Sequence, residues 1–107
     1  MTPEEKARVE IDRMLEQCGW VVQDKGGANL SAGRGVAVRE VSMRAGHGET
    51  DYLLFVDGKA IGTLEAKPEG FTLTGAEIQS RKYSYGAPPG VPVWKNPLAF
   101  RYESTGV

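Results

Sequence analysis

The sequence has little of what several common kinds of site require. It contains one cysteine and one histidine among 107 residues, which excludes an intramolecular disulfide and a cysteine-rich zinc site. No apolar run approaches the length of about 18 residues that indicates a membrane-spanning helix. No Gly-x-x-x-x-Gly-Lys-Ser/Thr motif occurs, so the chain holds no P-loop and we expect it not to hydrolyse ATP.

An excess of charge of one sign is also lacking. The 13 Lys and Arg residues and 14 Asp and Glu residues give a net charge of −1, so no strong overall field attracts nucleic acid or anionic lipid. Hydrophobic residues at 40% and charged residues at 25% are ordinary values for a globular protein. We therefore expect one small cytoplasmic domain over residues 1–107, with no membrane segment.

The elements are predicted in the order helix, strand, hairpin, helix and strand. Thr2 as N-cap and Pro3 at the first helical position begin a helix that Gly19 closes. Its apolar stripe is Ala7, Ile11, Met14, Leu15 and Cys18. Residues 24–35 form a glycine-rich loop, the predicted strands span 36–43, 52–56, 60–66 and 98–102, and a second helix spans 75–85. The order predicts an α/β (α+β-like) fold, a mixed sheet flanked by helices.

The stretch from Asp51 to Lys67 carries the most chemical information. Asp51 begins an apolar strand, and Glu65-Ala66-Lys67 ends the strand that returns from it. Residues 65 and 67 point to the same face of a strand. Two carboxylates that converge at this edge of the sheet can hold Mg²⁺, and the lysine can orient a water. This equipment suits metal-assisted hydrolysis of a phosphodiester.

The register of the hairpin decides whether the two acids meet. A two-residue turn at Asp57-Gly58 places Asp51 opposite Leu64, on the other face from Glu65. A three-residue loop that pairs Val56 with Ala60, or an equivalent bulge near Asp51, places the acids opposite each other. We predict the second arrangement. The alternative is that Glu65 and Lys67 form a solvated ion pair at an exposed strand end.

With these residues in place, the chain resembles the PD-(D/E)xK nucleases, and more narrowly the amino-terminal nuclease domain of the restriction (R) subunit of type I restriction–modification enzymes. The resemblance covers nearly the whole chain, and its more specific part is a Gln-x-x-x-Tyr element after the Glu-x-Lys. The stretches that carry it are Ile11–Trp20, Asn29–Glu40, Asp51–Gly58, Glu65–Pro68, Gln79–Tyr83 and Tyr102–Gly106. One departure is Thr50, where the family pattern has a proline before the first acid, a proline that is often absent in this superfamily.

The resemblance implies a role for each matching residue. Asp51 and Glu65 would be metal ligands together with the Ala66 carbonyl, and Lys67 would position the attacking water. Gln79 and Tyr83 would support cleavage or contact DNA, and Glu10 would be an additional ligand from the first helix. From the residues alone, Arg81 and Lys82 could form a basic patch for the DNA backbone. The alternatives are that Tyr83 packs, Gln79 is solvated and Glu10 lies on a solvated helix face.

The resemblance also implies an activity and partners. We expect a Mg²⁺-dependent endonuclease domain, with Mn²⁺ as a substitute, that cleaves double-stranded DNA without reading its sequence. The domain would be the amino-terminal fragment of a larger subunit, with ATP used only by a motor region outside this chain. Methyltransferase and specificity subunits would be its partners. The alternatives are a non-catalytic docking module and a PD-(D/E)xK nuclease of DNA repair or junction processing.

Overall fold

The fold is described from a computed structural model, over residues 2–43, 48–67, 88, 91–94, 98 and 100–105. These residues form one helix and five strands. The elements are α1 (Pro3–Gln17), β1 (Val21–Asp24), β2 (Gly35–Ser42), β3 (Glu49–Val56), β4 (Lys59–Ala66) and β5 (Phe100–Ser104). The strands form a single mixed sheet in the order β1-β2-β3-β4-β5. This α+β architecture confirms the coarse fold class, while the predicted second helix at 75–85 lies outside the described residues.

Helix α1 begins as the sequence predicts. The Thr2 hydroxyl accepts a hydrogen bond from the Glu5 N–H at 3.1 Å, with proline in the first turn. The helix ends at Gln17, and Gly19 follows with a φ of 92°, a conformation that glycine adopts without steric cost. Among the described residues, no helix is long and apolar enough to cross a membrane.

The face that α1 turns to the sheet differs from the predicted apolar stripe. Ala7 and Ile11 are buried, whereas Met14 and Cys18 are exposed. The side that meets the sheet includes polar residues, because Arg8 and Asp12 make contacts with the strands. Compared with the orientation that the apolar stripe predicts, α1 is therefore rotated so that Arg8 and Asp12 face the sheet.

The sheet carries one apolar cluster on each face. Ile11 of α1 packs in one cluster with four strand residues, Ala37, Tyr52, Leu54 and Ala66. The other cluster contains Val36, Val38, Met43, Leu53, Phe55, Ala60 and Leu98. Strand β3 contributes to both clusters, so this apolar strand is buried on both faces. It is hydrogen-bonded to antiparallel neighbours on both sides, β2 and β4.

The outer strands run parallel to their neighbours, β1 to β2 and β5 to β4. Strand β1 has only four residues, and the sequence analysis did not predict it. Strand β5 begins and ends two residues later than the predicted strand 98–102. Since β5 pairs with β4, the strand that ends in Glu65 and Ala66 is not an edge strand of the sheet.

The turn of the β3–β4 hairpin has two residues rather than the predicted three. Asp57 and Gly58 have φ values of 51° and 79°, and Val56 pairs with Lys59. Two consecutive positive φ angles are typical of a type I′ turn, which Asp-Gly favours and whose twist matches that of the strands. The predicted three-residue loop, with Val56 opposite Ala60, is therefore wrong.

A shift of one residue nevertheless occurs, in the middle of the hairpin. Phe55 pairs with Ala60, but Leu54 pairs with Gly62. Ile61 is thus the extra residue of a β-bulge. The bulge has the effect predicted for a bulge near Asp51, but it lies in the middle of the hairpin, opposite Leu54 and Phe55. Beyond the bulge, β3 and β4 are offset by one residue from the register that the turn alone would give.

Gly62 follows the bulge and allows β5 to approach β4 closely. A Cβ atom at this position would overlap the carbonyl oxygen of Phe100 and lie 2.8 Å from its Cβ. We expect Gly62→Ala to lower the free energy of unfolding by about 1–3 kcal/mol because backbone atoms of β5 would have to move. Urea denaturation measures this loss.

Gly26→Ala is the matched control. A Cβ at position 26 meets no atom within 4 Å, so the same substitution there should leave the free energy of unfolding unchanged or slightly higher. Equal stability of the Gly62→Ala and Gly26→Ala variants would contradict the close approach of β4 and β5.

Candidate active site

Asp51 and Glu65 meet at the end of the β3–β4 hairpin. Tyr52 pairs with Leu64, so the next residues along the two strands are Asp51 and Glu65. The Ala66 N–H donates to Asp51 Oδ2 at 2.9 Å, and the Asp51 N–H donates to Glu65 Oε1 at 3.4 Å. The structure therefore brings together the two acids that the sequence singled out.

Glu65 is a buried carboxyl in contact with a second carboxyl. Glu65 is only 5% exposed. Burial first, and then the hydrogen bond and negative charge of Asp51, raise the pKa of Glu65 to about 8, while the charge of Lys67 acts in the opposite direction. Two carboxylates in contact cannot both ionise easily without a cation between them. In the absence of a metal ion, Glu65 therefore keeps its proton at neutral pH.

Ala66 is the last residue of β4, and Lys67 follows it. The Lys67 N–H donates to the Ser104 carbonyl oxygen at 2.8 Å, so β5 holds the backbone at this point. The ammonium group is close enough for its charge to lower the pKa of Glu65. Lys67 therefore lies within electrostatic reach of the acid pair, and backbone hydrogen bonds to Asp51 and Ser104 fix the Ala66-Lys67 segment.

A second charged pair, Arg8 and Glu40, lies beside Asp51. Arg8 Nη1 donates to Glu40 Oε1 at 2.6 Å. Burial works against the charge of Arg8, but the bond to Glu40 and the negative charges of Asp51 and Glu40 raise the pKa of Arg8 above its usual value. Neither residue is among the site residues predicted from the sequence.

The sequence contains a signal for the unusual position of Glu40. Val36 and Val38 are two residues apart and pack in one cluster, and Val41 packs against the same cluster although it is three residues beyond Val38. The alternation of the strand therefore shifts by one residue near Glu40. Glu40 has a φ of 54°, and the shift turns its side chain toward α1.

A partly buried hydrogen-bond network next to the Arg8–Glu40 pair holds α1 against the sheet. The Tyr52 hydroxyl donates to Asp12 Oδ1 at 2.6 Å and lies 3.1 Å from the Arg8 carbonyl oxygen. Burial, followed by the contact with Asp12, raises the pKa of Tyr52. Arg39 Nη1 donates to the other oxygen of Asp12 at 2.9 Å. The network thus sets the position of the helix turn that carries Arg8.

The remaining predicted site residues are not brought to the acid pair by any described contact. Glu10 forms an ion pair with Arg13 on its own helix, and its side chain is 47% exposed. Its proposed part as a metal ligand remains a prediction. Gln79, Arg81, Lys82 and Tyr83 lie outside the described residues, so their roles also remain predictions.

The donor set suits a hard divalent cation. Within the described part of the chain, no group of three or more His, Cys, Asp or Glu side chains is arranged to hold a metal ion. The Asp51–Glu65 pair supplies carboxylate oxygens, and the neighbouring Ala66 carbonyl is a further oxygen donor, the chemistry that Mg²⁺ prefers. Because Mg²⁺ keeps several waters and needs only one or two carboxylates, this pair fits the ion that the resemblance implies.

Neither models of protein families, nor curated proteins, nor solved structures match this chain. The resemblance to the restriction nucleases therefore remains an expectation from the sequence. A function can be proposed from the residues of the site and from the contacts that hold them.

The raised pKa of Glu65 predicts how stability depends on pH. The folded protein keeps the Glu65 proton up to about pH 8, whereas the unfolded chain releases it near the usual value of 4.5. The stabilising contribution is therefore full below pH 4.5 and is lost as pH rises through 8. Its slope is at most about 1.4 kcal/mol per pH unit. Urea denaturation between pH 5 and 8, in buffers free of divalent cations, measures the effect.

Glu65→Gln is the control because it keeps the shape of the side chain but cannot titrate. The difference in unfolding free energy, wild type minus variant, should fall steadily across this pH range. A difference that stays constant with pH would show that Glu65 is already ionised in the folded protein, and would contradict the contact between the two carboxyl groups.

Proposed function

We propose that this chain is a Mg²⁺-dependent endonuclease domain that hydrolyses DNA phosphodiesters at the Asp51–Glu65 pair. The observation that carries the proposal is the contact between these two acids, with Lys67 beside them. Glu65 is buried in contact with like charge, an arrangement that is costly unless a proton or cation compensates it. Groups with strongly shifted pKa values are concentrated at functional sites. A metal-assisted hydrolase would use the two carboxylates as metal ligands and the lysine to orient a water.

The roles follow from the positions of the side chains. A bound Mg²⁺ supplies a Lewis acid for the phosphoryl oxygen and makes a water more acidic. Asp51 holds one carboxylate oxygen on the Ala66 N–H, which orients the carboxyl group and the Ala66-Lys67 segment together. Glu65 would release its proton to solvent when its carboxylate holds the cation. Lys67 would orient the attacking water and offset negative charge that develops on the phosphate.

The finer parts of the proposal come from the sequence resemblance. We propose double-stranded DNA as the substrate, cleaved without sequence readout, and a place at the front of a type I restriction subunit. The net charge of −1 supports this arrangement, because a domain with little positive charge binds DNA weakly by itself. A separate motor and the methyltransferase and specificity subunits would then deliver the DNA.

Metal binding tests the first half of the proposal. We expect Mn²⁺ to bind the wild-type chain in isothermal titration calorimetry and to release close to one proton per ion near pH 7, because the cation displaces the proton of Glu65. Titrations in buffers of different ionisation enthalpy give the number of protons. Asp51→Asn should abolish binding, and Glu65→Gln should abolish the proton release.

Asp57→Asn is the matched control, since Asp57 is an exposed acid of the same hairpin and asparagine tolerates its positive φ. It should bind Mn²⁺ as the wild type does. Equal loss in Asp57→Asn and Asp51→Asn would show that binding is nonspecific. Absence of Mn²⁺ binding by the folded wild type would favour the non-catalytic docking module.

Lys67 separates catalysis from metal binding. We expect Lys67→Met to bind Mn²⁺ at least as tightly as the wild type, because a positive charge near the site is removed. Its rate of nicking supercoiled plasmid should fall about 10²-fold or more. Gel electrophoresis with Mn²⁺ measures the rate. Nicking that survives both Lys67→Met and Asp51→Asn would come from a contaminant or another site, and would contradict the proposal.

A further inference from the structure

Arg8 and Glu40 occupy a place beside the acid pair that the proposed chemistry does not yet use. Arg39 pairs with Tyr52 and Val41 with Thr50, so Glu40 on β2 lies level with Asp51 on β3. Neighbouring strands are only about 5 Å apart. The Arg8 guanidinium is held on Glu40 at 2.6 Å, and it is close enough to Asp51 for the negative charge of that residue to help raise the pKa of Arg8.

The backbone of Glu40 is in a conformation that its side chain does not favour. Its φ of 54° lies in the left-handed region, which glycine and asparagine adopt readily and in which most other residues are strained. The conformation interrupts the pairing of β2 with β3 and turns the carboxylate to α1. The bond to Arg8 is the compensating contact. Strain of this kind is concentrated where a group must be held in one place.

The Arg8 side chain combines a fixed position with access from solvent. The Arg8 backbone is held by the Tyr52 hydroxyl, which lies 3.1 Å from the Arg8 carbonyl oxygen. The side chain is 28% exposed, and that of Glu40 is 51% exposed. A guanidinium has five N–H donors and matches the geometry of a phosphate, so the bond from Nη1 to Glu40 leaves it able to receive a phosphate oxygen.

We propose that Arg8 binds a DNA phosphate at the Asp51–Glu65 site and that Glu40 is the positioning residue that holds its guanidinium until the phosphate replaces it. This inference rests on the proposed nuclease function. It assigns to α1 a cationic contribution to the site, where the sequence resemblance suggests an acidic one from Glu10. The contact also supplies positive charge at a place where the carboxylates would otherwise repel DNA.

The Arg8→Gln variant distinguishes this role from a structural one because two measurements should change in opposite directions. Loss of the positive charge near Asp51 should tighten Mn²⁺ binding by calorimetry about threefold to tenfold. The same change should weaken binding of a fluorescent DNA duplex, measured by anisotropy with a chelator present. We expect affinity to fall about tenfold at low salt and the salt slope of log K to drop by about 0.9, the value for one phosphate contact.

Three further variants complete the test. Arg8→Lys keeps the charge and should restore the salt slope. Glu40→Gln removes the competing carboxylate and should raise DNA affinity about twofold to fivefold, while Mn²⁺ binding persists. Arg13→Gln is the matched control, because Arg13 lies on the same helix with an exposed side chain paired to Glu10, and it should leave the salt slope unchanged.

The outcomes separate this inference from the function on which it rests. Weaker binding of both Mn²⁺ and DNA by Arg8→Gln would show a purely structural role and overturn the inference. An unchanged salt slope, an equal drop in Arg13→Gln, or no measurable DNA binding by the wild type would also overturn it. Failure of the proposed function appears differently, as a wild-type chain that binds no Mn²⁺.

Discussion

The register of the β3–β4 hairpin is the constraint on which the site depends. The tight Asp57-Gly58 turn by itself would place Asp51 opposite Leu64, on the face away from Glu65. The extra residue at Ile61 moves β4 along by one position, and the two acids then meet. The hydrogen bond from the Ala66 N–H to Asp51 fixes this end of the hairpin, so the site exists because of a local irregularity in an otherwise regular sheet.

The consequence of this meeting is an electrostatic cost that a ligand can relieve. A buried carboxyl beside a second carboxyl is stable when it holds a proton, and Glu65 does so up to about pH 8. A divalent cation supplies the same compensation with more charge, and it also brings the chemistry of hydrolysis. In the proposed function, this unfavourable contact is thus the one that holds the cation. The left-handed backbone at Glu40 is similar, because an unfavourable local conformation positions a charged side chain.

Much of the fold was predictable because local signals were strong. The Thr2-Pro3 helix start, the buried strand around Leu53 and the return strand to Ala66 all follow from capping and hydrophobic pattern. The meeting of Asp51 and Glu65 was also predicted, on the condition of a one-residue shift. The place of that shift was wrong, since pairing energy is distributed along two strands. Gly62, a glycine inside the predicted return strand, was a local signal of a bulge that went unused.

What the sequence did not show depends on contacts between distant segments. Helix α1 is turned toward Arg8 and Asp12 because these residues find partners on β2 and β3, more than 25 positions away. A helical periodicity reports only which residues are apolar, so it predicted Met14 as buried. Glu40 was missed for the same reason, although the three-residue step from Val38 to Val41 marked its position.

The central claim is that Asp51 and Glu65 hold a divalent cation between them. A crystal of the protein grown above pH 8 with Mn²⁺ and measured at a wavelength where manganese scatters anomalously tests it most directly. The account predicts one anomalous peak about 2.0–2.3 Å from a carboxylate oxygen of each residue. A map that shows the two carboxyl groups in contact with no manganese peak between them would contradict it.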